Sequence, residues 1–508
     1  MTIPTRRAFA ILAGFWLALV PLFAAWLWID RGVAAWDMSM HAGLVLRLHD
    51  GLAKGNLWRA YELSRFYPPL FHVLAVPASF VSTHPDAYCF GNWVVLLALL
   101  WLTFLLGRSV AGDAAGLAAA LLLPGFTYVA WMGRMPMTDL TLATTVTFTL
   151  WLLVRPIDLA EPRQARLVGL SIALGLLAKW PYVLFTAAPL ALLVWRHFVR
   201  TGGDVRSAAF RRPLLHVALW PLVLATPWYV RSVPSLLGKA AWHLGSGVAA
   251  DEGDPPVWSL ASLEYYGQQL WLDYLRVPLL LLFVAGAAVV LLAWWRRDTS
   301  GAAPAARWVP LGLSVAGGLA CLLLIANKDP RYLLPFMPVA AVVCGACVTA
   351  IPSSMRGRAL VACGVLGWLL AADDLFRLAP PDRMDWKLDE IADLVRPHLD
   401  AAGGAPLRVL VVPNDEHMNF TSLDYALLRR SRARVEVERS DRTLDEAKLA
   451  TYALAVVVVP PPDETPVSQG SRAAADLVLA RPEWQLESRV TRGDGREVLL
   501  LARRAPGA

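Results

Sequence analysis

Gly116 to Trp131 and Leu140 to Val154 contain no charged residue, yet Gly133-Arg134-Met135-Pro136-Met137-Thr138-Asp139 between them carries an Arg and an Asp. Where water is excluded, runs of this length satisfy their backbone polar groups as helices, so they constrain the chain to a bundle of membrane-crossing helices. An Arg and an Asp at the mouth of two such spans are costly to place and mark a functional position. A second acidic loop, around Trp36-Asp37, follows the first apolar run. With both acids on one side of a membrane, the chain reads as an enzyme working at a bilayer surface.

Composition agrees with that class. Hydrophobic residues make up 57% of the 508 and charged residues 17%, against roughly 25% charged in soluble domains. The formal charge of +7 does not argue for nucleic acid, because cytoplasmic loops of membrane proteins collect Lys and Arg. The 22 Trp suit interfacial belts better than base stacking. Cys344-Gly-Ala-Cys347 has the spacing of a redox pair but no strand or basic neighbour. The cysteines read as packing residues, with neither a disulfide framework nor a Cys/His metal site.

Arg6-Arg7 precedes the apolar stretch Phe9 to Ile29, which is too long and too rich in Trp for a secretory leader. It reads as an uncleaved first span with a cytoplasmic N-terminus. A long external first loop, 30–88, follows. Its apolar part, 67–81, is short and carries Pro68, Pro69 and Pro77, so it is expected to lie in or dip into the outer leaflet. Further spans are expected at 89–107, 115–131, 139–154, 167–178, 181–195, 214–230, 277–295, 308–326, 333–351 and 359–376, eleven in all. Lys179-Trp180-Pro181 breaks 167–195 in two. That parity puts Arg155, Arg163 and Arg166, the cluster Arg196 to Arg212, Arg296-Arg297 and Arg356/Arg358 inside. A rival topology, with 67–83 crossing and 167–195 unbroken, would separate Asp37 from Arg134 and Asp139 by the bilayer.

The fold expected is therefore an all-α polytopic membrane domain, residues 1–376, followed by a small soluble α/β domain, 377–508, on the external side. In the tail, strands are expected at Leu407 to Val412, Val435 to Val437, Leu454 to Val459 and Glu497 to Ala502, with helices at Leu423 to Arg430 and Ala473 to Ala480. No G-x-G-x-x-G turn accompanies them, and the domain reads as a structural cap.

The external face then gathers Asp37, His41, Arg134, Asp139, Lys179, Lys328, Asp329 and Arg331. Transfer from a lipid-phosphate donor needs such a set: a carboxylate to take the acceptor proton and cations to neutralise the departing phosphate. Blander roles compete. Asp37 and Ser39 could cap a helix over His41 to Leu48, and Asp139 and Thr138 could cap the next span. Tyr67-Pro68-Pro69-Leu70 could simply open a helix, and Lys179 could snorkel to the interface. Asn327-Lys328-Asp329-Pro330-Arg331-Tyr332 could be an interfacial anchor. His41, His49 and His72 show no metal-ligand spacing.

Taken in order, Asp37, Tyr67-Pro68-Pro69-Leu70, Gly133-Arg134 to Asp139, Leu177-Ala178-Lys179-Trp180-Pro181, Pro227-Trp228-Tyr229 and Arg331-Tyr332-Leu333-Leu334-Pro335 resemble the polytopic lipid-phosphate-sugar glycosyltransferases. The resemblance is to glycosyltransferase family 39 of the GT-C group, with its protein O-mannosyltransferases and aminoarabinose transferases, and covers about the first 350 residues. It implies a polyprenyl-phosphate sugar donor and an acceptor lipid, glycan or protein at a bacterial inner membrane. It implies Asp37 as catalytic base with Asp139 in support, and Tyr67, Arg134, Lys179, Lys328, Arg331 and Tyr332 against substrate. A divalent metal, where relatives use one, would fall to Asp37 and Asp139. Relatives often carry Asp-Glu in the first loop, whereas Met38 follows Asp37 here, which weakens the case for a metal. The alternative reading is a membrane transporter or lipid flippase, which should show internal repeats and midplane charges; neither is visible.

Overall fold

The computed structural model describes residues 3–245, 249, 253–295, 305–403, 405, 407–431, 435–439, 444–465 and 468–504. Arg296-Arg297, expected inside, lie outside the described residues. Among the described residues, seven helices are long and apolar enough to cross a membrane, or eight if one bent pair counts as a single span. Three more of the expected spans are shorter: Asp139–Leu153 has 15 residues, Pro162–Ala178 has 17 and Val309–Leu324 has 16. At about 1.5 Å per residue each falls short of a hydrocarbon core roughly 30 Å thick.

The span expected over 115–131 is bent. Asp113–Gly125 and Thr127–Gly133 meet at 69°, with Phe126 extended between them at φ −80°, ψ 119°. Pro124 lacks a donor and Gly125 costs helix propensity, so the ladder fails there. By contrast, Lys179-Trp180-Pro181 breaks the chain as expected. Pro162–Ala178 ends at Lys179, extended at φ −163°, ψ 137°, and a new helix runs Tyr182–Arg200. Helix Leu70–Ser79 has only 10 residues, about 15 Å long, too short to cross.

Close packing fixes the centre of the bundle. A Cβ on Gly116 would meet the Phe104 carbonyl at 2.4 Å, and one on Gly345 the Ala115 carbonyl at 2.3 Å. Small residues thus let three helices touch backbone to backbone, the usual device where apolar burial cannot drive association.

The tail folds into a five-stranded sheet of order β2-β1-β3-β5-β4. The strands are β1 Leu407–Val412, β2 Val435–Arg439, β3 Leu454–Val459, β4 Trp484–Thr491 and β5 Glu497–Arg503. β1 is parallel to β2 and β3; β5 is antiparallel to β3 and β4. Strand periodicity sorts the core: Val409 and Val411 face the helices Leu388–Ala401 and Phe420–Arg430. Leu410 and Val412 face the helix Ser471–Leu479.

Candidate active site

Asp37 opens the helix Asp37–Ala53 instead of capping a shorter one. The residue before it, Trp36, has φ 43° and offers no side-chain cap, while Ser39 turns its hydroxyl to the Ala34 carbonyl. With no capping duty, the Asp37 carboxylate faces a cleft. Its Oδ1 accepts from the Tyr67 hydroxyl at 2.8 Å, and Arg331 stands 3.6 Å from Oδ2. Tyr67 is held from behind, its amide donating to Ser64 Oγ at 2.9 Å just before Pro68-Pro69 start the next helix.

One turn along, His41 is buried. Its ring meets that of Tyr67 edge-on at 4.5 Å, and its Nδ1 pairs with His72 Nε2 at 3.1 Å. Burial first, then the charge of Lys179, pushes His41 down to about 3, so it is neutral at pH 7. Burial and the Asp37 charge hold the Tyr67 phenol above its ordinary range, which keeps it a donor.

Asp139 begins the helix Asp139–Leu153, and Thr138 makes no side-chain cap there. It is buried, and Lys179 Nζ approaches its Oδ1 at 2.8 Å. The helix break delivers that lysine, whose backbone is extended between the two helices. The loop before Asp139 is tied down by Asn92, whose amide Nδ2 reaches the carbonyls of Met132 (3.0 Å), Met135 (2.6 Å) and Met137 (3.0 Å). Arg331 leans on Asp329, its Nε donating at 2.7 Å, and the same carboxylate accepts from the Arg331 amide.

Asp37, Tyr67, Lys179, Arg331 and Tyr332 share one cleft, walled by Leu142, Phe185, Leu322 and Ile325. Lys179 and Arg331 reach its lining, whereas their partner acids Asp139 and Asp329 do not. The cleft surface therefore offers two cations and one carboxylate beside an apolar wall, which suits an anionic group on a lipid.

Two residues expected with this set lie elsewhere. Arg134 stacks over Trp26 at 3.9 Å and lines a separate cleft with Asp30, Trp36, Asp382 and His417. Lys328 Nζ donates to the carbonyls of Leu322 and Leu323, both at 3.3 Å, and to that of Ile325. It thereby satisfies the open C-terminal end of Val309–Leu324, where a cation is favoured. Sequence reasoning missed the His41–His72 contact, because residues 31 apart give no spacing signal. Among the described residues no three His, Cys, Asp or Glu side chains converge to hold a metal ion, and Asp37 and Asp139 are already engaged by Tyr67, Arg331 and Lys179. The donor set does not fit a metal.

The helical bundle and the small sheet domain that follows it share the GT-C fold of the solved structures ArnT and AglB. Residues 68–230 match the family model of dolichyl-phosphate-mannose-protein mannosyltransferase. No curated protein matches. Among solved structures, the chain is similar to ArnT from Cupriavidus metallidurans in the apo state, at 13% identity and TM-score 0.61 over 97% of this chain and 98% of that one. The same enzyme bound to undecaprenyl phosphate gives 0.58 at 13% identity, with the same coverage. Similar too is the oligosaccharyltransferase AglB from Archaeoglobus fulgidus, in complex with an inhibitory peptide and a dolichol-phosphate. It matches at 12% identity and TM-score 0.54, covering 89% of this chain and 69% of that chain. At these identities the likeness is one of fold. The resemblance read from the ordered motifs thus extends to the architecture as a whole.

Proposed function

We propose that this protein transfers a sugar, with inversion, from a polyprenyl-phosphate donor to an acceptor hydroxyl or related group at the external membrane face. The observation that carries the reading is the cleft shared by Asp37, Lys179 and Arg331. Asp37 takes the acceptor proton as the acceptor oxygen bonds to the anomeric carbon. The bond from that carbon to the phosphate oxygen breaks, and the polyprenyl phosphate leaves as an anion that needs no proton. Lys179 and Arg331 neutralise it, with Tyr67 and Tyr332 beside them, while the apolar wall holds the first part of the prenyl chain. Positioning supplies much of the rate. Arg134, in a separate cleft that Trp36 also lines, would meet the acceptor rather than the donor, and Lys328 acts through the fold.

In this reading residues 1–376 form the catalytic membrane domain and 377–508 an external domain. The protein is multi-pass in a bacterial inner membrane with a cytoplasmic N-terminus. Family likeness over 68–230 and the fold shared with an enzyme that binds undecaprenyl phosphate support it. The test is transfer by purified protein from a synthetic polyprenyl-phosphate sugar. Acceptors come from mass spectrometry of envelope lipids, glycans and glycoproteins in a deletion strain. Asp37→Asn should lower turnover by roughly 10²–10⁴-fold with membrane insertion intact. Normal turnover by that variant removes Asp37 as the base. Movement of substrate across vesicles without any glycosylated product would favour a flippase instead.

A further inference from the structure

Trp36 immediately precedes Asp37 and adopts φ 43°, ψ −111°, a left-handed conformation that a bulky non-glycine residue keeps only when its surroundings impose it. What surrounds it comes partly from the C-terminal domain. The Trp36 carbonyl accepts the helical bond from the Met40 amide at 3.0 Å. From the other direction it meets the Thr421 hydroxyl at 3.1 Å. That hydroxyl also lies 2.7 Å from Asn419 Oδ1, so its one proton is shared between two acceptors.

The contact sits at the tip of a built interface. The helix Phe420–Arg430 lies along Asp37–Ala53, and Tyr425 and Leu428 enter the same apolar core as Ala42, Val45 and Leu46. Arg47 pairs with Asp424 at 3.3 Å, and the Tyr425 hydroxyl donates to the Thr83 carbonyl at 2.7 Å. Gly43 faces the second helix, where an added Cβ would make ordinary contact with Tyr425 and Leu428 at 3.9 Å. The helix bearing the base is thus packed on one side by its own loop and on the other by the tail.

We infer that Thr421 is a positioning residue for transfer: through the Trp36 peptide, the C-terminal domain sets the angle at which Asp37 enters the cleft. Thr421 touches no reacting atom; it acts on the base through the backbone. The inference rests on Asp37 being that base.

The experiment compares full-length wild type, Asp37→Asn, Thr421→Val and Thr421→Ser in lipid nanodiscs, measuring kcat, donor KM and thermal midpoint. Thr421→Val keeps the shape and removes the hydroxyl, so kcat should fall roughly two- to tenfold, the effect of one net hydrogen bond. Donor KM and the midpoint should hold, and Thr421→Ser should recover kcat to near wild type. An active Asp37→Asn would sink the assignment of the base itself. With Asp37→Asn inactive, a wild-type kcat in Thr421→Val overturns the positioning role. So does a loss that tracks a lowered midpoint and is not rescued by Ser.

Discussion

Asp37 opens a helix in the cleft and Asp139 opens one beside it, joined to the lining only through Lys179, and the chain treats the two acids differently. Asp37 keeps 39% of its side chain exposed and meets its cation at 3.6 Å. Asp139 keeps 2% and meets Lys179 at 2.8 Å. An exposed carboxylate with a loose cation and one phenol donor can still accept a proton from a substrate. A buried one locked to an ammonium cannot do so without leaving a charge uncompensated. Two acids of the same type are thereby given different surroundings: one is partly open to the cleft, the other holds a cation at the cleft wall.

The largest separation is expected from the Asp37→Asn variant, which should lose transfer while its thermal midpoint in detergent stays put; a matching fall in stability would make Asp37 structural. Asp139→Asn should do the reverse first. It strands Lys179, costing about 3–5 kcal/mol of stability, and adding Lys179→Met should restore much of the midpoint but not the transfer. If Asp139→Asn leaves the midpoint unchanged, the pair is not the lock described. Below these comes a pH effect at His41. Its folded pKa is depressed from 6.5 to about 3, so the unfolded chain binds the proton more readily. The stability it confers is full above about 6.5 and is lost as pH falls towards 3. The thermal midpoint of wild type should therefore fall relative to that of His41→Phe as pH drops from about 6.5 towards 3. Parallel pH profiles would mean that His41 is not neutral in the folded protein. The smallest effect is expected from Lys328→Met, roughly 1 kcal/mol of stability from the lost helix-end charge, with donor KM unchanged. A raised KM would return Lys328 to the cleft.

How much of this was legible varies by residue. The break at Lys179-Trp180-Pro181 could be read because a charged residue stands there beside a proline that disfavours helical backbone before it. Proline alone is no such signal, since Pro21 and Pro189 lie inside helices. The strands Leu407–Val412 and Leu454–Val459 were visible as apolar runs because central strands are buried on both faces. Trp484–Thr491 escaped because it is an edge strand of mixed polarity, pairing only with β5. The helix Leu388–Ala401 was missed although Ile391, Val395 and Leu399 recur at helical spacing. Arg134 and Lys328 were recognised as misplaced charges, but a sequence does not say which way a side chain turns. One found an indole and the other a helix end. Nothing in the residues around Trp36 announces its φ, since Trp is among the last choices for that conformation.

Asn92 has two amide hydrogens and stands within reach of three peptide oxygens. It moors the bend that leads into Asp139 to a neighbouring helix. An apolar residue there would set those oxygens adrift where little else can solvate them. The geometry of the buried acid thus depends on a neutral amide that bears no part in the chemistry.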